Sequence, residues 1–92
     1  MSYRNSLQIM GDVLLQTSQY GQDGANKSIL MRKSNLSHSR LQKLIKNLTG
    51  SGLINRIEYD KKSTFVITEK GRLFLDEYKK FSDFAGSFGL EL

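Results

Sequence analysis

The sequence has no cysteine and a single histidine. Disulfides and thiolate metal sites are therefore excluded, and so is a histidine-rich metal centre. A chain without cysteine suits a reducing compartment. Proline is absent too, and no linker or internal repeat divides the 92 residues, so a single small domain is expected. A core of this size is marginal unless it is well packed or shared between subunits. No apolar run approaches the roughly 20 residues that a membrane helix needs. The opening MSYRNS lacks the apolar stretch of a signal peptide, so a soluble cytoplasmic protein is expected. Catalytic signals are equally scarce. There is no nucleophile motif, His38 has no carboxylate near it in sequence, and Asp76, Glu77 and Asp83 sit among basic neighbours. The GSG at residues 50–52 is not followed by the Gly-Lys-Ser/Thr of a phosphate loop. No enzyme, no cofactor and no metal are expected.

What is present is positive charge, gathered in the middle. Of 14 basic and 9 acidic residues, the stretch 25–62 holds nine basic and only two acidic ones, a net +7, which leaves −2 for the rest. Such segregation is the footprint expected of a nucleic-acid partner, and a lysine-rich solvated surface is the competing reading.

Periodicity supplies the elements. Leu7, Met10, Leu14 and Thr17, with Ile9 and Val13 beside them, predict a helix over 4–19. Gly21 is a plausible left-handed cap after it. A short helix follows over 26–34, with Ala25, Leu30, Met31 and Ser34 inward and Lys27, Arg32 and Lys33 wet. Asn35 tolerates the left-handed conformation of a tight turn. A third helix begins at the N-cap Ser37, with Leu36 and Leu41 at the spacing of a hydrophobic staple. Gly52 is its stop, with Leu48 and Leu53 placed for the apolar contact of a Schellman motif; Gly50 is the alternative stop. The period then changes to two. Leu53–Tyr59 and Thr64–Thr68 predict a β-hairpin whose tip is Asp60, Lys61, Lys62 and Ser63. Thr68 caps a last helix with Glu69 in its first turn. Phe74, Leu75, Tyr78, Phe81 and Ala85 form its apolar stripe, and Gly86 and Gly89 are expected to fray its end.

Helix, helix, turn, helix, hairpin, helix is the winged-helix arrangement. The expected class is α+β, mostly α: a winged helix-turn-helix of three helices, a β-hairpin wing and a C-terminal helix. The domain is expected over 1–85, with a dimerisation helix from about 68 and a short tail at 86–92. The stretches KSILMRKSNLSHSRLQKLIKNLTGSGLI and TFVITEKGRLFLDEY resemble archaeal winged-helix regulators and the related ten-kilodalton winged-helix chromatin proteins of archaea. The likeness covers nearly the whole chain, and its most specific parts are NLS at the turn, GLI after the third helix and ITEKG opening the last. It implies a DNA-binding, commonly dimeric protein. The chromatin-type members pair through a long C-terminal coiled coil, from which this chain departs with Gly86, Gly89 and an end at Leu92. A compact dimer through the first and last helices is expected instead. The closing FGLEL is similar to the tail of the regulator branch, which favours a regulator over a chromatin packer.

The outer side of the third helix is the candidate reading surface. A B-DNA major groove admits one α-helix and presents distinct donors and acceptors. Ser39, Arg40, Gln42, Lys43, Lys46 and Asn47 supply hydroxyl, amide and basic groups for it. Gln42 suits an adenine edge, Arg40 or Lys43 a guanine, and His38 at the helix start a phosphate or a base; each is otherwise a solvated side chain. Lys61 and Lys62 at the wing tip suit a flanking phosphate or a minor groove, Arg56 supports the tip, and Lys27 lies near the backbone where the second helix begins. Phe65, Phe74, Tyr78 and Phe81 have core or dimer-seam spacing and form no stacking platform for single strands. Phe81, Phe84 and Phe88 are more than so small a domain can bury, so a homodimer is expected through Leu7, Phe74, Tyr78, Phe81, Phe84 and Phe88. The expected partners are double-stranded DNA and a second copy of the chain, with no membrane. The expected function is sequence-specific regulation of transcription by a nucleoid-associated homodimer. Two alternatives compete with it: architectural DNA coating with little sequence preference, and a winged-helix module that binds protein.

Overall fold

The computed structural model describes residues 6–89. Helix α1 is Ser6–Gln19, α2 is Lys27–Ser34, α3 is His38–Gly50 and α4 is Glu69–Ser87. Strands β1, Ile54–Tyr59, and β2, Lys62–Ile67, form an antiparallel hairpin between α3 and α4. The class is the expected one, mostly helical α+β with three helices, a hairpin wing and a C-terminal helix. The expected start of the first helix at residues 4 and 5, and the end of the expected tail at 90–92, lie outside the described residues.

Side chains and glycines set the helix ends by satisfying backbone groups that the helix leaves free. The Asn26 carboxamide accepts from the Ile29 N–H at 2.9 Å and starts α2. Asn35 ends it in the left-handed region, at φ 55°. Ser37 Oγ accepts from the Arg40 N–H at 3.3 Å and starts α3, while Leu36 and Leu41 are both buried as a staple requires. At the far end Gly52 has φ 77°, the Leu53 N–H donates to the Leu48 carbonyl at 2.9 Å, and the Gly52 N–H donates to the Thr49 carbonyl at 3.1 Å. That pair of bonds is the Schellman motif, so Gly52 is the stop and Gly50 is the last helical residue. Thr68 ties this corner to α4: its hydroxyl donates to the Gly52 carbonyl at 2.6 Å and accepts from the Gly71 N–H at 2.9 Å.

The core lies where α1, α2, α3, the root of the hairpin and α4 converge. Val13, Leu14, Leu30, Leu41, Leu48, Ile54 and Phe65 are fully buried, each contributing about 1.5–3 kcal/mol of transfer free energy. Ala25 stands as a third, single-residue strand beside β2: its N–H donates to the Phe65 carbonyl at 3.0 Å and its carbonyl accepts from the Phe65 N–H at 2.8 Å. The wing sheet is thereby anchored to the start of α2.

Four details differ from the sequence expectations. The buried face of α1 is turned toward Ile9, Val13, Leu14 and Thr17, leaving Leu7 and Met10 half-buried. The wing tip is shorter: Asp60 and Lys61, both at positive φ, form a two-residue turn, and Lys62 and Ser63 already belong to β2. Positive φ at both central residues is the I′ geometry that matches the twist of a hairpin. Phe81 lies off the core stripe of α4 and is exposed. Finally, α4 runs through Gly86 to Ser87 before Gly89 turns left-handed, because a glycine in a helix interior costs stability without breaking the bond ladder.

Candidate nucleic-acid interface

Helix α3 buries Leu41, Ile45 and Leu48, packs the half-buried Leu44 beside them and turns its polar side outward. His38, Ser39, Arg40, Gln42, Lys43, Lys46 and Asn47 are all exposed there. The amphipathic spacing fixes this orientation, because the three buried residues fall on one side of a 3.6-residue period. Ser39 Oγ lies 3.5 Å from the cap hydroxyl of Ser37, so it belongs to the first turn rather than to the middle of the face.

The tertiary structure divides this face into two flanks. On one side, a groove of about 460 Å³ separates α3 from the wing. Lys27 from α2, Gln42 and Lys46 from α3 and Arg56 from β1 line it, over a floor that includes Ile45 and Phe65. Four sequence-predicted residues from three elements thus meet in one channel. On the other side, Arg40, Lys43 and Asn47 border a smaller groove of about 210 Å³ against Ile9 and Met10 of α1. Lys61 and Lys62 do not join either groove. Lys61 stands in the wing turn, and Lys62 pairs across the hairpin with Tyr59, on the face opposite to Arg56.

Arg56 is held on its own wing. Its Nε and Nη2 donate to Ser63 Oγ at 3.2 and 3.1 Å, and Nη2 lies 3.0 Å from Glu58 Oε1. Sequence reasoning missed Glu58 and Ser63 as part of the site. Period two alone puts Arg56 and Glu58 on one face of β1; adding Ser63 requires the register, in which Glu58 stands opposite Ser63.

The expected dimer residues fall into two groups. Phe74 and Tyr78 pack against the core of their own chain, and Leu7 is half-buried. Tyr78 lies over Gly11 of α1, where a Cβ would come within 2.5–2.8 Å of its ring. Burial, with the Asp12 carboxylate second, raises the Tyr78 pKa above the usual tyrosine value. Phe81, Phe84 and Phe88 point away from the core at 51%, 63% and 67% exposure, a stripe too apolar to be an ordinary solvated face. The Phe84 and Phe88 rings touch each other, with centroids 5.1 Å apart. Among the described residues no group of His, Cys, Asp and Glu could hold a metal ion, and no helix is long and apolar enough to cross a membrane.

Comparison with known proteins places this geometry in context. The winged helix-turn-helix family profile matches residues 3–86. No curated relative matches the sequence. Sso10a-2, a DNA-binding protein from Sulfolobus solfataricus, superimposes with a TM-score of 0.80 at 20% identity, over 92% of this chain and 85% of that one. F-93 of SSV1 superimposes with a TM-score of 0.67 at 20% identity, over 87% of this chain and 91% of that one. MepR, a transcription regulator of the Staphylococcus aureus multidrug efflux pump MepA, gives 0.75 at 17% identity, over 87% of this chain. This chain spans only 60% of the MepR chain, and a MepR variant is known bound to an oligodeoxyribonucleotide. At these identities the likeness is one of fold.

Proposed function

The chain belongs to the winged helix-turn-helix family, and on that premise we propose that it is a homodimeric, sequence-reading double-stranded DNA-binding protein that regulates transcription. The observation that carries this reading is the exposed polar and basic face of α3 beside a groove lined by Lys27, Lys46 and Arg56. Helix α3 enters the major groove. Gln42 addresses an adenine edge and Arg40 or Lys43 a guanine, with Ser39 and Asn47 as shorter polar contacts and His38 at the helix entry. Lys27, Lys46, Arg56, Lys61 and Lys62 neutralise phosphates, which fix register but carry no sequence information. Dimerisation uses the outward Phe81, Phe84 and Phe88 of α4, with Leu7, Phe74 and Tyr78 at its border. Two copies of α3 then address half-sites about one helical turn apart. In this reading residues 1–85 are the DNA-binding domain, with the dimerisation helix from about 68, and the protein works beside the nucleoid in the cytoplasm.

The test is fluorescence anisotropy of the protein on random and selected genomic duplexes at two salt concentrations, beside the Gln42→Ala/Lys43→Ala variant. Tight binding to few fragments, lost in the variant, is the expected result. Equal, salt-sensitive binding to every fragment would instead make the protein architectural. Absence of binding at both salt concentrations would remove DNA as the partner.

A further inference from the structure

The basic stretch 25–62 contains just two carboxylates, Glu58 and Asp60. Asp60 occupies the wing turn, at φ 50°. Glu58 is placed differently. In the hairpin register Arg56 stands opposite Phe65 and Glu58 opposite Ser63, so all four share the face that carries the buried Phe65. Arg56 and Phe65 both line the groove between α3 and the wing. Glu58 therefore puts a negative charge beside Arg56, at the wing edge of a channel whose charged lining residues are Lys27, Lys46 and Arg56.

The carboxylate also has a specific target. Glu58 Oε1 is 3.0 Å from Arg56 Nη2, and Ser63 Oγ accepts from Nε and Nη2 of the same guanidinium. Two neighbours on the same hairpin thus orient the one arginine of the channel. A guanidinium is a planar fork that matches a carboxylate and a phosphate equally well. The two anions are competitors for it. If Arg56 turns to a phosphate, Glu58 loses its partner and stands beside a second negative charge.

We propose that Glu58 is a brake on DNA-backbone binding, acting by competition with a phosphate for Arg56 at the edge of the α3–wing groove. The inference rests on the DNA-binding reading above and assigns it a residue that sets affinity from within the free protein. Because the competition concerns a phosphate, it weakens binding to every duplex alike and leaves the choice of sequence to α3.

The experiment compares the full chain with Glu58→Gln, Arg56→Gln and the double variant. Each is checked for fold by circular dichroism and titrated by anisotropy onto one random and one selected duplex at two salt concentrations. Glu58→Gln is expected to tighten binding about two- to fivefold on both duplexes, the fold-change equivalent of one exposed ion pair. Its salt dependence is expected to steepen, since the Glu58 carboxylate no longer offsets counterion release at Arg56. In the Arg56→Gln background the gain is expected to disappear. Unchanged or weaker binding by Glu58→Gln, while the natural chain binds, overturns the brake alone. An equal gain in the Arg56→Gln background also overturns it, because Glu58 would then act by general repulsion. Failure of the natural chain to bind either duplex at low salt overturns the DNA-binding reading, and the brake with it.

Discussion

At the scale of single residues, Gly71 and Gly86 show how one residue type in one helix takes opposite roles. A Cβ built on Gly71 would overlap the Leu53 carbonyl oxygen and lie 2.7 Å from Ile67 Cγ1, whereas one built on Gly86 meets nothing within 4 Å. The first turn of α4 crosses the α3–β1 corner at backbone contact, held there by the Thr68 N–H on the Leu53 carbonyl at 3.1 Å. Gly71→Ala is expected to destabilise the fold by about 1–3 kcal/mol, because backbone has to move. Gly86→Ala is expected to stabilise it by about 0.5–1 kcal/mol through helix propensity. Urea unfolding of the two variants checks both signs at once. Sequence reasoning singled out Gly86 as a fraying residue and met Gly71 only as the end of the ITEKG stretch, with no packing role. Nothing local distinguishes them, since the difference lies in what another segment brings near.

At the scale of elements, the wing combines a strained turn with a tethered arginine. Lys61 at φ 64° occupies a region that side chains adopt at a cost of about 1–2 kcal/mol, and a hairpin turn of this kind favours glycine there. Lys61→Gly is expected to raise stability by about 0.5–1 kcal/mol once the greater entropy of the unfolded glycine is subtracted. The same change removes a cation from the wing tip, so the slope of log affinity against log salt is expected to fall by about 1. Thermal unfolding and a salt titration on one duplex read the two effects separately; a variant that loses stability would argue against the turn geometry. The polar face of α3 was legible in the sequence because its period, its N-cap and its Schellman stop all lie within 20 residues. Its partition into a wing-side and an α1-side flank was not, because that depends on which elements dock beside it.

At the scale of the whole molecule, the question is what covers the outer stripe of α4. Phe81, Phe84 and Phe88 leave a chain of this size with an exposed apolar surface, which the proposed dimer would bury. The double variant Phe81→Glu/Phe84→Glu is expected to sediment as a folded monomer and to lose most of its affinity for a two-half-site duplex. A single half-site gains nothing from linkage, so its binding is expected to change little. Analytical ultracentrifugation of the natural chain over a concentration series is the companion measurement. A natural chain that is monomeric throughout would redirect the stripe to another partner. The separation is spatial: the exposed phenylalanines gather near the end of α4, whose four basic and four acidic residues cancel, whereas α2, α3 and the wing carry the net positive charge.

The sequence by itself determined the order of elements, the caps and the segregation of charge. Each rests on interactions between residues close in the chain: Ser37 with the Arg40 N–H, Leu36 with Leu41, Gly52 with the carbonyl three residues before it. Such contacts form wherever the same few residues fold, so they can be read locally. The tertiary structure alone decided which aromatic side chains of α4 enter the core, how far α1 turns toward Ile9 and Val13, and which strand face meets α3. These follow from the rotation of each element against its neighbours, which packing sets and periodicity leaves open by a residue or two. The clasp of Glu58 and Ser63 on Arg56 belongs to this second class, because a hairpin shifted by one residue would send Ser63 to the opposite face.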